Sequence, residues 1–346
     1  MFSDYNYNNI ADTHSFQINN LDLAIINSIR RIILSDIPVI GFYGEEEPTI
    51  EILFNTGPLH NEFMIHRIGL IPLHISEVIT ENYEDGDYKF EFNIENKTNE
   101  TINITTADFK GTYKEIELKK EELAKIFPSN KISKSHILIT RLRPNEHLHV
   151  IATAIKRTGK TNASFSPVSL SNFYFIEDPK EKKDNILDRQ RGYYKNKFGD
   201  PTVINFQIES INGLSYKYLF RKAIEIIIEK LENLIINLSE DKILIEPVLS
   251  CEKSFNFQID NEDDTLGNII QSLLHNKYVR DNNKYKTYEC TYVGYICPHP
   301  LINRLIVRFS LTTDDTTIYK QFFIDNCKEI IKIMESIKNE WNKFTK

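Results

Sequence analysis

Residues 21–38 read LDLAIINSIRRIILSDIP. Ile25, Ile29 and Ile33 stand four apart with Ile26 and Ile32 beside them, so one apolar stripe runs down a helix. Asn19 or Asn20 can cap its start, and Pro38 stops it by disfavouring helical backbone at Ile37. Arg30 and Arg31 are neighbours, so both cannot lie on the stripe that Ile29 and Ile33 occupy. A surface Arg pair is ordinarily a solvated face, but two rigid fork-shaped donors on a helix also suit a partner's carboxylates or carbonyls.

Extended segments follow at Val39–Tyr43 and, after an acidic turn at Glu45–Glu47, at Ile50–Phe54. The next unusual stretch is Phe63–Leu73, FMIHRIGLIPL, an apolar run holding a basic pair, a glycine and a proline. It predicts a short helix over Asn61–Ile68, a left-handed cap at Gly69 and an exit strand over Leu70–Ile75. From about His74 to Asp200 the texture is β-rich, with alternating strands predicted at Tyr88–Ile94, Thr101–Thr105, His136–Thr140 and His147–Ala152. The charged tract Glu177–Lys197 reads as a surface excursion.

Val203–Ile208 predicts a strand, and Leu214–Leu238 a long helix with Phe220, Ala223, Ile227, Leu231 and Leu234 on one side. Asp241–Leu249 breaks the pattern at Pro247 and reads as a linker. The plan then recurs: strand Ser254–Ile259, helix Thr265–His275 capped by Asp264, strands Tyr288–Tyr295 and Leu305–Leu311, and a terminal helix through Cys327, Ile330, Met334, Ile337, Trp341 and Phe344.

At 346 residues the chain can bury roughly three quarters of its unfolded surface, enough for two or three domains. Its composition, 41% apolar and 26% charged, is that of a globular protein. A net charge of −7 disfavours an autonomous grip on nucleic acid, which would need a local basic patch. The four cysteines form no CxxC pair, which fits a reducing compartment, and no apolar run approaches the ~18 residues of a membrane helix.

Catalytic and metal motifs fail one by one. Arg157-Thr-Gly-Lys-Thr161 ends like a phosphate loop, but Ala154 stands where the first glycine belongs. Asp260–Asp264 opens like a calcium loop, yet Thr265 replaces the turn glycine. His147 and His149 share one side of a strand without a third ligand at a familiar interval. No GxSxG, HExxH or kinase-like set is present.

Taken together, these segments resemble a known family. LAIINSIRRIILSDIP resembles the signature helix of the α-like subunits of multisubunit DNA-directed RNA polymerases, and FMIHRIGLIPL the segment that follows it. Ile139-Thr-Arg-Leu-Arg143 with Gly159–Val168 is similar to the second domain of the archaeal D subunit, or third subunit of polymerase II. Asp264-Thr-Leu-Gly-Asn-Ile-Ile270 with Val293–Leu301, VGYICPHPL, is similar to the smaller α-like partner, the archaeal L subunit or eleventh subunit of polymerase II.

The resemblance implies an α+β fold with two α-like dimerisation units paired within one chain, the first interrupted by a β-rich insert. The implied domains are 1–74 with 201–239 (D-like), 75–200 (insert) and 240–346 (L-like). It implies a non-catalytic assembly platform without cofactor or metal, docking the largest, second-largest and small polymerase subunits, with DNA reached only through the complex and no membrane. By the resemblance Arg30 and Arg31 would bind the second-largest subunit, and FMIHRIGLIPL would brace their helix. His66, Arg67, Gly69, Asp264, Leu266, Gly267, Asn268, Ile269 and Leu273 would be interfacial or structural. The fused arrangement looks like those of large DNA viruses, which implies the virion and the host cytoplasm, or the nucleus, as locations.

Two departures stand out: residues 74–200 contain no cysteine, where some D-like subunits carry a four-cysteine zinc loop, and extra polar residues occupy Arg280–Tyr288. The competing readings are a stand-alone α+β metalloenzyme using His147 and His149, and a virion structural protein.

Overall fold

The computed structural model describes residues 1–45, 47–181, 192–280 and 288–346. The middle of the charged tract, most of the extra polar segment after Arg280, and one residue of the acidic turn therefore lie outside the described residues. The chain divides into two compact units, one of residues 1–33, 171–208 and 220–346, the other of residues 34–170 and 209–219.

In the first unit, antiparallel strands are ordered Phe2–Asn8, Thr13–Asn19, Val203–Ser210, Val168–Phe175. A second sheet runs Leu244–Pro247, Ser254–Asp260, Arg304–Leu311, Cys290–Ile296. The helices are α1 (Leu23–Ser35), with α2 to α4 belonging to the other unit, then α5 (Tyr216–Ser239), α6 (Asp264–Leu274) and α7 (Thr316–Phe344). Helices α5 and α7 meet through Phe220 and Trp341, ring centroids 4.3 Å apart, within a cluster of Phe2, Phe16, Phe206 and Phe344. Burying such rings contributes more than area alone, because edge-on pairs add about 0.5–1.5 kcal/mol each.

In the second unit a five-stranded sheet is ordered Ile50–Asn55, His147–Thr153, Tyr88–Glu95, Lys110–Tyr113, Ile116–Glu117, accompanied by α2 (Asn61–Gly69), α3 (Glu77–Glu81) and α4 (Lys120–Ile126). Alternation along Tyr88–Glu95 sends Tyr88, Phe90 and Phe92 inward, where they join Phe42, Phe109 and Phe127.

Several boundaries differ from the sequence expectations. Helix α1 is capped by Asp22, whose Oδ1 accepts from Ala24 N at 2.8 Å, rather than by Asn19 or Asn20. Helix α6 is capped by Asp263, not Asp264: Asp263 is extended and its Oδ1 accepts from Thr265 N at 2.8 Å, while Asp264 is already helical and exposed. An Asp-Asp pair at a helix start fits either assignment until the backbone decides which residue is extended.

Gly69 is the last helical residue of α2, with no left-handed backbone. Its lack of a side chain serves close approach, since a Cβ would lie 3.1 Å from both Cα and N of Gly44. Leu70–Ile75 is irregular rather than a strand: Pro72 has no N–H for a ladder, and His74 N donates instead to Ile126 O. The expected linker contains a strand, Leu244–Pro247, paired with Phe255–Gln258 at the sheet edge, where Pro247 is tolerated. The strands Phe2–Asn8, Thr13–Asn19 and Val168–Phe175 were not foreseen from the sequence, because Asn, Ser, His and Gln dilute their alternation.

The Thr-Gly-Lys-Thr segment closes the end of α1. Lys160 N donates to Ser35 O at 2.9 Å and its ammonium pairs with Asp36 at 3.0 Å, beside the helix C-terminus that favours positive charge. A Cβ on Gly159 would come within 2.6 Å of Leu34 O, so the glycine permits this backbone contact.

Asp263→Ala should lower stability by about 1 kcal/mol in urea denaturation, and Asp264→Ala should be near neutral. Gly159→Ala should cost about 1–3 kcal/mol, since backbone atoms must move to admit the methyl group.

Candidate functional site: the α1–α6 crossing

Helices α1 and α6 carry the same pattern twice. Each begins after an aspartate, Asp22 or Asp263, that accepts from the N–H two residues on. From there the buried positions run in parallel: Ala24, Ile25, Ile26, Ser28, Ile29 and Ile33 on α1 match Thr265, Leu266, Gly267, Ile269, Ile270 and Leu274 on α6. Asn27 and Asn268 occupy equivalent half-buried places.

The contacts are nearly reciprocal. Ser272 of α6 donates to both carboxylate oxygens of Asp22 at 3.0 Å, and Asn276 adds a bond of 2.9 Å. In the equivalent place on α1, Arg31 Nε donates to Thr265 Oγ1 at 2.9 Å, in the first turn of α6. Ser28 Oγ, buried at the crossing, donates to Thr265 O at 3.0 Å. Each helix thus grips the first turn of the other, which is what a pseudo-twofold crossing requires. Asp22, Ser28, Thr265 and Ser272 all have partners here, so their burial costs little and misregister leaves them unpaired.

Beyond Leu274 the helix widens into a π-turn, His275–Arg280. Arg280 reaches Asp200 through two bonds, 2.7 and 3.2 Å, and stacks 4.3 Å over Phe198. The guanidinium hydrogen bond is the main reason that Asp200 is held below the usual carboxylate range. On α5, Lys230 pairs with Glu262 at 3.0 Å, just before the cap of α6.

Arg30 and Arg31 do not share one role. Arg31 is directed at Thr265, while Arg30 Nε donates to its own helix at Asn27 Oδ1, 3.0 Å. The terminal nitrogens of Arg30 have no partner among the described residues. Burial, and then the charge of Arg31, lower its pKa, marking a guanidinium that would gain from an incoming anion or carbonyl.

The other predicted residues separate into three groups. Leu266 and Ile269 are buried in α6, and Leu273 is half-buried. Gly267 is demanded by packing, because a Cβ would meet Tyr295 at 2.6 Å and Leu305 at 2.7 Å. Asp264 is exposed beside Cys297, whose thiol is pushed up to about 11 by burial and then by that carboxylate. His66 is exposed, and Arg67 donates to Ile139 O at 3.0 Å and Leu138 O at 2.9 Å, fastening α2 to strand Leu138–Leu142. The polar residues that make the crossing, Asp22, Ser28, Thr265, Ser272 and Asn276, were missed; the only sequence signal was an aspartate just ahead of each apolar run.

His147 and His149 are taken by strand neighbours, Asn93 at 2.5 Å and Glu91 at 2.7 Å. Among the described residues no group of three His, Cys, Asp or Glu could hold a metal ion. No helix among them is long and apolar enough to cross a membrane.

The profile of the RNA polymerase Rpb3/Rpb11 dimerisation domain matches residues 15–231, and a second Rpb3/Rpb11 dimerisation profile matches residues 254–340. The chain belongs to the RNA polymerase Rpb3/Rpb11 dimerisation-domain family. It holds two such domains, and α1 and α6 lie one in each. Among relatives, subunit 3 of DNA-directed RNA polymerases II, IV and V of Arabidopsis thaliana is 25% identical over 52% of this chain and 60% of its own length. The human RPAC1 subunit of polymerases I and III is 26% identical over 47% of this chain and 51% of its own. Polymerase II subunit RPB3 of Schizosaccharomyces pombe is 25% identical over 66% of this chain and 84% of its own. The chain thus spans between half and three fifths of the length of the first two.

Asp22→Ala should destabilise the protein by about 2 kcal/mol through the lost cap and side-chain bonds. A double-mutant cycle with Ser272→Ala should give a coupling of about 0.5–3 kcal/mol. Arg280→Gln should return Asp200 toward ordinary carboxylate titration. Because the native pKa is depressed, its stabilisation is present above the unfolded pKa and lost as pH falls through the native one. The difference in Tm between wild type and Arg280→Gln should therefore shrink on acidification.

Proposed function

We propose that the chain is a non-catalytic assembly-platform subunit of a DNA-directed RNA polymerase, docking the two largest subunits and nearby small ones. The observation that carries this is the presence of two Rpb3/Rpb11 dimerisation domains in one polypeptide with their leading helices crossed. Residues 1–74 with 201–239 would be the D-like domain, 75–200 the insert and 240–346 the L-like domain. A net charge of −7 suits a subunit that meets DNA only through the complex. Fusion of the two units in one chain supports an origin in a large DNA virus, with the virion and host cytoplasm as the places to look.

Within this reading Arg30 is the residue that meets the second-largest subunit, since its terminal nitrogens are open, and Arg31 acts through the crossing. The test is affinity purification of the tagged chain from cells making the polymerase. The wild type should bring down both large subunits. Arg30→Glu should lose most of the second-largest subunit with Tm unchanged, and Arg31→Glu should lower Tm as well. Full capture by Arg30→Glu contradicts the assigned role of Arg30, and absence of both large subunits from the wild-type eluate contradicts the platform reading itself.

A further inference from the structure

A cavity of about 640 Å³ opens beside the first turns of α1 and α6, a volume typical of small-ligand pockets. Its walls come from the start of α1, the turn Asn196–Thr202 and the outer side of α6 with its π-turn. Asn27 and Asn268 both line it, so the equivalence of the two helices brings two amides to one cleft, and Asn20 adds a third.

The charged groups in the walls are already engaged. Asp22 is held by Ser272 and Asn276, and Asp200 by Arg280 and Asn196. Every oxygen of the two lining carboxylates has a donor, although only Asp200 has a cation beside it. What stays open is amide chemistry: the side-chain amides of Asn20 and Asn268, and Nδ2 of Asn27, have no partner among the described residues. An amide side chain offers a donor and an acceptor side by side, the same pair that a peptide group offers. Phe173 and Phe198 supply apolar wall between them.

A planar base is another neutral ligand that pairs with amides, but it needs a bare aromatic face. Here Arg280 and Lys197 both lie over the Phe198 ring, at 4.3 and 4.6 Å, and Phe173 is stacked with Phe206. We propose that this cleft takes an extended, uncharged polypeptide segment, held through its main chain by the amides of Asn20, Asn27 and Asn268. Because its walls come from both dimerisation domains, an occupant also ties α1 to α6. The inference does not rest on the polymerase reading.

The test is an NMR titration of the full chain, labelled with ¹⁵N-asparagine, with three probes: capped tetra-alanine, the same peptide with N-methylated amides, and adenosine. Tetra-alanine should give saturable shifts confined to the side-chain amides of Asn20, Asn27 and Asn268. The N-methylated peptide and adenosine should not. Asn268→Ala should weaken tetra-alanine about fivefold, the effect of losing a neutral hydrogen bond. Asn20→Gly, at a residue with φ of 55° that glycine accepts readily, should do the same without loss of fold. The proposal is overturned if tetra-alanine does not saturate, if N-methylation makes no difference, or if adenosine binds at these amides instead.

Discussion

The grip of each central helix on the other's first turn is the constraint from which the rest of this structure follows. Asp22 is at once the cap of α1 and the acceptor for Ser272 and Asn276 of α6. One carboxylate therefore ends a helix and sets the register of the crossing. On the other side Arg31 and Ser28 converge on Thr265, next to the cap of α6. A slide of one turn along either helix would leave the half-buried Asp22 carboxylate and the buried Ser28 hydroxyl without partners, at a cost of about 1–3 kcal/mol for each. Apolar faces alone would tolerate such a slide; these groups do not.

Covalent fusion changes the thermodynamics of that crossing. In separate chains the pairing depends on concentration, whereas a tether holds one half at an effective millimolar concentration for the other. Interfaces that would be marginal between chains become sufficient within one. This allows the crossing to be rich in small and polar groups, Ser28, Thr265 and Ser272, and not only in large apolar ones. Gly267 belongs to the same economy of space, since Tyr295 and Leu305 fill the room a side chain would take.

The α+β class, the helices with strong apolar stripes and the repeated plan were legible because they rest on periodicity, which sequence records directly. Helix α6 and the long α5 and α7 were found this way. Features set by tertiary pairing were not legible. Leu244–Pro247 becomes a strand only because Phe255–Gln258 offers it a ladder, and Leu70–Ile75 fails to become one because Pro72 interrupts it and Ile126 claims His74 N. The left-handed cap expected at Gly69 is absent: the requirement there is the nearness of Gly44, not backbone handedness. Arg30 and Arg31 read as a unit in the sequence, yet a helix sends neighbours about 100° apart, and the structure gives Arg31 a bond to the other helix that Arg30 lacks.

The central claim is that the two dimerisation domains pair within a single chain, and site-directed cross-linking tests it most directly. Asp22→Cys and Ser272→Cys would be combined in a Cys251→Ser, Cys297→Ser background, treated with a short bifunctional maleimide, and resolved by denaturing gel and peptide mapping. The account predicts a product with the mass of one chain in which the peptide containing position 22 is joined to that containing position 272. A product found only as a covalent dimer of two chains would contradict it, because the helices would then be pairing between copies.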